Sequence, residues 1–240
     1  MCSEADLKIF TYIEEHTDWR FSWEAFRRIQ GEWGNLGAPT MFMPRVSVQR
    51  LYIDLMGVEE GIYALYDYPE TVEAYFDALR ESQFRLIDVI NASPVQIINF
   101  GDNVHSGTLS PALFEKYVLP EYRLRCQRLH QGGKFVCAHF DGDNRGLMGF
   151  YRQTGLDGIE AITPKPQGDV TLQEVQENLG DMFLLDGSST TTLYLTWSSG
   201  AGTREAEYVW PRDGRLWDVV FGLAQSKVKE IPLKEHSCNS

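Results

Sequence analysis

Apolar residues follow two spacings along the chain, one typical of helices and one typical of buried strands. Helical spacing runs through 1–35 and through 68–91. Short apolar runs at 95–100, 135–138, 158–163 and 182–185 are typical of buried strands, and an earlier run at 38–43 has the same character. We therefore expect strands that alternate with helical segments.

Capping residues predict where several helices begin. Pro69 occupies a first-turn position, with Asp67 before it as the candidate cap, and Ser110-Pro111 has a capping serine followed by a first-turn proline. Thr171 with Glu174 three residues later forms a capping box. We also expect Pro120 to kink its helix, and Asp143 and Asn144 to cap a short helix over 144–154.

Strands that alternate with helices pair in parallel, so their carboxyl ends lie at one edge of the sheet. Polar side chains follow two of these ends, Asp102 and His105 after one strand and His139 and Asp141 after the next, and Glu160 lies inside the 158–163 run. Polar groups over apolar strand bodies favour a TIM-type barrel or an open doubly wound sheet. The predicted fold class is therefore α/β.

The spacing of His139 and Asp141 indicates a shared task. Side chains two residues apart on a strand point to the same face, so this pair is placed to hold one ion or one substrate group. Glu160 is costly to bury unless it is paired or bound to a metal. The simpler alternatives are structural: a hydrogen-bonded His139, an Asx-turn at Asp102, an ion pair of Glu160 with Arg152, and exposed loop positions for His105 and Arg45.

Composition restricts the function classes. The 240-residue chain has 43% hydrophobic residues and no apolar run near the roughly 18 residues of a membrane span, so we expect a soluble protein. Its net charge of -12 argues against nucleic acid and anionic lipid surfaces as partners. The four cysteines form no CxxC pair and the N-terminus has no secretory pattern, which predicts reduced thiols and a cytoplasmic location.

Three segments, in this order, resemble the uroporphyrinogen decarboxylase superfamily. Residues 98–122 read INFGDNVHSGTLSPALFEKYVLPEY, with an aspartate after the strand, a Ser-Pro and a later Leu-Pro. Residues 135–144 read FVCAHFDGDN and match the next strand, where the cobalamin-dependent methyltransferase branch has His-x-Cys-Gly. Residues 161–181 are similar to a proline-rich segment of the superfamily. The resemblance implies a TIM barrel with its pocket at the strand carboxyl ends.

The methyltransferase branch implies a metal-assisted transfer to a small-molecule substrate. Zinc bound through the His-x-Cys pair activates a thiol there, which takes a methyl group from a corrinoid. His139 matches the ligand histidine, but Asp141 stands in the cysteine position, and a His/Asp pair suits iron or manganese as well as zinc. The residues implied are Asp102, His139 and Asp141 for catalysis, Arg45, His105 and Glu160 for substrate binding, and His139, Asp141 and Glu160 for a divalent metal, with a corrinoid protein as partner.

Two other interpretations stay open. The decarboxylase branch needs no metal and binds a tetrapyrrole polycarboxylate, for which Arg45 would be an anchor and Asp102 the partner of the pyrrole nitrogens, although the family's N-terminal arginine motif is absent. An inactive remnant acting as a binding or assembly module is the other, because an incomplete barrel exposes apolar edges. The predicted divisions are a helical segment (1–37), a complete or incomplete barrel core (38–187) and a divergent segment (188–240). A homo-oligomer is an additional open expectation.

Overall fold

A computed structural model of the chain describes residues 3–34, 38–186, 192–199 and 202–209. They form one seven-stranded sheet whose spatial order follows the chain, β1 to β7. The strands are β1 Thr40–Met43, β2 Ile97–Val104, β3 Phe135–Phe140, β4 Gly158–Glu160, β5 Phe183–Asp186, β6 Thr192–Ser199 and β7 Gly202–Val209. β1 to β5 pair in parallel, which confirms the predicted α/β class, and β6 and β7 form an antiparallel hairpin beside β5.

Helices connect the parallel strands, as the alternation predicts. The α-helices are α1 Glu4–Glu15, α2 Trp23–Trp33, α3 Ser47–Gln49, α4 Val58–Asp67, α5 Pro69–Asn91, α6 Pro111–Leu113, α7 Leu119–Gln131 and α8 Leu172–Leu179. Two π-helical segments, Arg50–Met56 and Phe114–Val118, and a 3-10 helix, Met148–Gln153, complete the connections. No helix in the described ranges is long and apolar enough to cross a membrane.

Both faces of the sheet contain buried residues, but the exposed positions lie on one of them. The face that packs against the helices carries side chains that are fully buried: Ile98, Phe100, Val136, Ala138, Phe140, Ile159 and Leu184. The opposite face includes Phe42, which is 63% exposed, and the pair His139 and Glu160, which is half-buried. Among the described residues no strand pairs with the outer edge of β1, so the described part of the sheet is an open arc, in keeping with the predicted barrel in its incomplete form.

Several capping predictions are confirmed. The hydroxyl of Ser110 accepts a hydrogen bond from the Leu113 amide at 3.3 Å. Thr171 and Glu174 form the predicted reciprocal capping box of α8. The π-helical turn Phe114–Val118 lies directly before Pro120, where the ring removes a backbone donor and crowds the carbonyl four residues earlier. Pro120 therefore distorts its helix, as predicted.

Other local predictions are wrong. Asp67 ends α4 instead of capping α5, whose N-cap is Tyr68. Asn144 does not cap a helix that begins beside it, because its side-chain amide donates to the Asp141 and Gly142 carbonyl oxygens and the 3-10 helix starts only at Met148. β2 runs on to Val104, so Asp102 belongs to a strand and not to the loop after it.

Contacts tie the N-terminal helices to the rest of the molecule. The Trp19 indole donates to Ser82 Oγ at 3.1 Å, and Thr71 donates to Glu4 Oε1 at 2.9 Å. Leu7 belongs to the same buried cluster as the sheet. The divisions at 37 and 187 remain predictions, and much of 188–240 lies outside the described residues.

Candidate active site at the strand ends

His139 and Glu160 meet at the carboxyl ends of two neighbouring parallel strands. They are register partners of β3 and β4, and parallel pairing places their side chains on the same face. His139 Nδ1 lies 3.1 Å from Glu160 Oε1, with side chains 35% and 28% exposed. Glu160 thus pairs with His139 and not with Arg152, which donates to the Asn178 and Glu177 carbonyl oxygens.

The pair favours its charged form. The hydrogen bond to Glu160 raises the pKa of His139 above its ordinary value, against the opposing effect of burial, and the nearby Asp141 adds to the rise. Burial alone would raise the pKa of Glu160, but hydrogen bonds from His139 and Asn99 outweigh it, so the pKa of this carboxyl is lowered. The arrangement is an imidazole and a carboxylate that stabilise each other's charged forms and are both partly exposed.

The residue after Glu160 adopts an unusual backbone conformation. Ala161 has a φ of 63°, in the left-handed region that costs a non-glycine residue on the order of 1 kcal/mol or more. Its amide still donates to the Leu185 carbonyl oxygen at 3.0 Å. The chain therefore leaves β4 directly after Glu160, which makes this carboxylate the last residue of its strand.

Asp141 follows the last residue of β3, and its charge adds to the rise in the pKa of His139. Its carboxylate oxygens are each 3.0 Å from the Asn103 side-chain nitrogen, once the amide is oriented to donate. The Asn103 carbonyl oxygen in turn accepts from Gln49 Nε2 at 3.1 Å. The amide of Asn103 therefore holds Asp141 beside the pair.

His105 lies against the loop that follows β3. Its side chain is close enough to Gly142 that a Cβ there would meet the His105 Cβ at 3.4 Å. Gly142 also has a φ of 58°, a conformation that favours glycine. His105 Nε2 is 3.3 Å from Thr108 Oγ1. These contacts join two loops, and the substrate-binding role of His105 stays a prediction.

Arg45 follows β1 and brings positive charge to the site. Its charge acts against protonation of His139. The guanidinium Nε is 3.9 Å from Asp54 Oδ1 and has no hydrogen-bond partner among the described residues. Asp54 is thus the acidic neighbour of Arg45, and the substrate-binding role of Arg45 stays a prediction.

Asp102 occupies a different environment from the one its candidate catalytic role suggests. It is 1% exposed, its Oδ1 accepts from the Val46 amide at 2.8 Å, and its Oδ2 accepts from the Tyr122 hydroxyl at 2.8 Å. Burial raises its pKa to about 6, although Arg125 and the two hydrogen bonds lower it. Through these contacts Asp102 stabilises the segment after β1 and links it to α7. The catalytic role of Asp102 stays a prediction.

A second set of buried polar groups, which sequence reasoning missed, supports the same segment. Arg125 is fully buried and donates to the carbonyl oxygens of Pro44 and Arg45 at 3.0 and 3.1 Å. It also pairs with Glu121, whose other oxygen accepts from the Ser47 amide at 3.1 Å. The i, i+4 spacing of Glu121 and Arg125 on one helix was the available sequence signal.

The predicted metal ligands do not fit a three-residue metal site. Across the parts of the chain that the structure describes, no group of three His, Cys, Asp or Glu side chains is arranged to hold an ion. His139 and Glu160 bind each other, and Asp141 binds Asn103. The metal assignment of these three residues thus stays a prediction without support from their geometry.

Comparisons with known proteins agree with this architecture. A family model described as uroporphyrinogen decarboxylase (URO-D) matches residues 50–204. A solved methyltransferase from Methanosarcina mazei is 16% identical and superposes with a TM-score of 0.52, over 67% of this chain and 46% of that protein. The chain therefore spans about half the length of that methyltransferase. No curated protein matches the sequence significantly.

Proposed function

We propose that this chain, which belongs to the uroporphyrinogen decarboxylase family, is a methyltransferase-like enzyme that acts on a small polar substrate at the ends of β3 and β4. The observation that carries the proposal is the accessible His139–Glu160 pair at 3.1 Å. Reactive groups of α/β enzymes lie at the carboxyl ends of parallel strands, where this pair lies. Similarity in fold to a methyltransferase supports this branch of the family.

His139 would act as the proton-transfer group. Its Nδ1 donates to Glu160, which leaves Nε2 for the substrate. In its neutral form, Nε2 takes the proton of a thiol, and the carboxylate of Glu160 stabilises the imidazolium that forms. The thiolate sulfur then forms a bond to the methyl carbon. The bond between the methyl group and its donor breaks at the same time, and its electron pair stays with the donor.

Other groups would bind and orient the substrate. Arg45 offers a guanidinium to an anionic group, and Asp141 offers a carboxylate to a cationic or donor group. A corrinoid, delivered by a partner protein, would supply the methyl group.

A metal that activates the thiol is a separate proposal. Metal analysis of the purified protein and of His139→Ala tests it, since metal that is absent or unchanged by the substitution contradicts it.

Methyl transfer can be assayed with free methylcobalamin and a panel of small thiols, by loss of the methylcobalamin absorbance and mass detection of the methyl thioether. We expect turnover by the wild type and a loss of about 10²–10⁴-fold in His139→Gln. His130→Gln is a matched control, because His130 forms a similar 2.9 Å pair with Asp157 next to the start of β3. Equal loss in both variants, or none in either, contradicts the proposal.

Decarboxylation of a tetrapyrrole polycarboxylate is the second candidate, favoured by the description of the matching family model. Arg45 would anchor a carboxylate, but Asp102 is buried with both oxygens bound inside the protein. Incubation with uroporphyrinogen and detection of coproporphyrinogen tests it. Failure of both assays with a well-folded protein would favour a binding or assembly module. The supporting observation is the outer edge of β1, with which no described strand pairs.

A further inference from the structure

Asn99 lies next to the proposed site and has no role in the proposed chemistry. It belongs to β2 and is the register partner of Cys137, two residues before His139. Alternation along a strand therefore puts Asn99 on the face that carries His139 and Glu160. Asn99 is almost fully buried, with 4% of its surface exposed. A buried amide beside an ion pair needs a reason for its presence.

One half of this amide has a partner within the protein. A hydrogen bond from Asn99 to the Glu160 carboxylate contributes to the lowered pKa of that group. The amide therefore orients the carboxylate that in turn holds His139. Asn99 thus acts on the site through Glu160.

The oxygen of the Asn99 amide has no partner among the described residues. Asn99 Oδ1 is buried and accepts no hydrogen bond from any described residue. The nearest donor along the ladder, the Cys137 thiol, instead contacts the Ile98 carbonyl oxygen at 3.6 Å. Gly158, the register partner of Cys137, and Gly101, two residues after Asn99 on β2, carry no side chain that could supply a donor. A buried acceptor with no donor among the described residues has capacity for a donor group of a ligand.

We propose that Asn99 is a positioning and specificity residue, whose N–H group fixes Glu160 and whose Oδ1 accepts a hydrogen bond from a hydroxyl or N–H group of the substrate. The inference deepens the proposed function and rests on it for the identity of the site. It predicts that the site prefers ligands with a donor near the reacting atom. Sites with a buried polar partner discriminate strongly against ligands that leave the partner unpaired.

Two thiols of equal size test this preference. 2-Mercaptoethanol carries a hydroxyl where 1-propanethiol carries a methyl group. Binding of each can be followed by NMR titration of the 15N-labelled protein, without any turnover. We expect the wild type to bind 2-mercaptoethanol about tenfold more tightly or better, and Asn99→Leu to bind the two thiols about equally. Cys137→Ala, which changes the register neighbour, should keep the wild-type ratio.

Equal binding of the two thiols by the wild type overturns the inference, because a water molecule then satisfies Asn99 Oδ1. The inference is also overturned if Cys137→Ala loses the difference in affinity between the two thiols, because a change at the neighbouring residue would then have the same effect as a change at Asn99. If Asn99→Leu does not fold, as judged by its thermal melt, the wild-type ratio alone decides. If the wild type prefers 2-mercaptoethanol but transfers no methyl group, only the proposed function is contradicted. If it transfers methyl groups but binds both thiols equally, only the inference about Asn99 is contradicted.

Discussion

Two clusters of polar residues lie near the carboxyl ends of the parallel strands, and they have opposite characters. The Asp102 and Arg125 cluster is almost completely buried, and its polar atoms bind the backbone of residues 44–47. The His139 and Glu160 pair is half-buried and bound chiefly to itself. One cluster supports structure, and the other has capacity left for a ligand.

The difference follows from the face of the sheet that each cluster occupies. Asp102 faces the helix layer, where Tyr122 of α7 donates to it. His139 and Glu160 lie on the opposite face, and their side chains remain 35% and 28% exposed. A charged side chain at a strand end is therefore a candidate for chemistry only when it lies on the face that a substrate can reach.

Removal of Arg125 should have the largest effect on stability. Arg125→Ala leaves Glu121 buried without its cation and frees the carbonyl oxygens of Pro44 and Arg45. We expect the free energy of unfolding to fall by about 3–5 kcal/mol. Chemical denaturation measures it, with Arg123→Ala as the control on the same helix.

Arg123 is exposed and donates to the Gln153 carbonyl oxygen, so its loss should cost about 1 kcal/mol or less. Similar losses for the two arginines would show that the buried cluster does not stabilise the segment after β1.

Asp102→Asn should change how stability depends on pH. The folded-state pKa of Asp102 is about 6 and its ordinary value is 3.8, so the folded state binds the proton more tightly than the unfolded state. This group therefore adds stability below about pH 4, and the contribution is lost as the pH rises through about 6, by about 3 kcal/mol. Asparagine cannot ionise, so that loss should disappear from the unfolding free energy of the variant.

Denaturation of wild type and Asp102→Asn between pH 4 and 8 measures this difference. Asp143→Asn is the control, because Asp143 is an exposed carboxylate near the same sheet edge. Parallel pH profiles for wild type and Asp102→Asn would contradict the assignment of Asp102 as a buried group with a raised pKa.

Sequence patterns predicted much of the fold because the parallel strands are short apolar runs with clear boundaries. The Thr171 and Glu174 capping box also followed from spacing alone. Segment 44–67 was not predicted, and its first residues, Pro44 and Arg45, are held by hydrogen bonds from Arg125, which is far away in the sequence. Spacing within a sequence does not encode such contacts.

Sequence reasoning predicted part of the candidate site. Parallel pairing of neighbouring strands, which the alternation of elements predicted, brings His139 and Glu160 together as register partners. Asp102 was grouped with them because residues 101–103 read as a loop, whereas β2 continues through them and turns this side chain to the helix layer. Asn99 was missed because an uncharged amide inside an apolar run costs less to bury than a carboxylate such as Glu160 and therefore attracts less attention.

The central claim is that Glu160 holds His139 as an accessible proton-transfer group, and NMR titration of the His139 ring tests it most directly. Glu160→Gln keeps the size of the side chain but removes its charge, while Glu177→Gln makes the same change at an exposed site on α8. We predict that the pKa of His139 lies above 6.5 in the wild type and in Glu177→Gln, and falls in Glu160→Gln. A pKa of His139 that is the same in all three proteins would contradict the account.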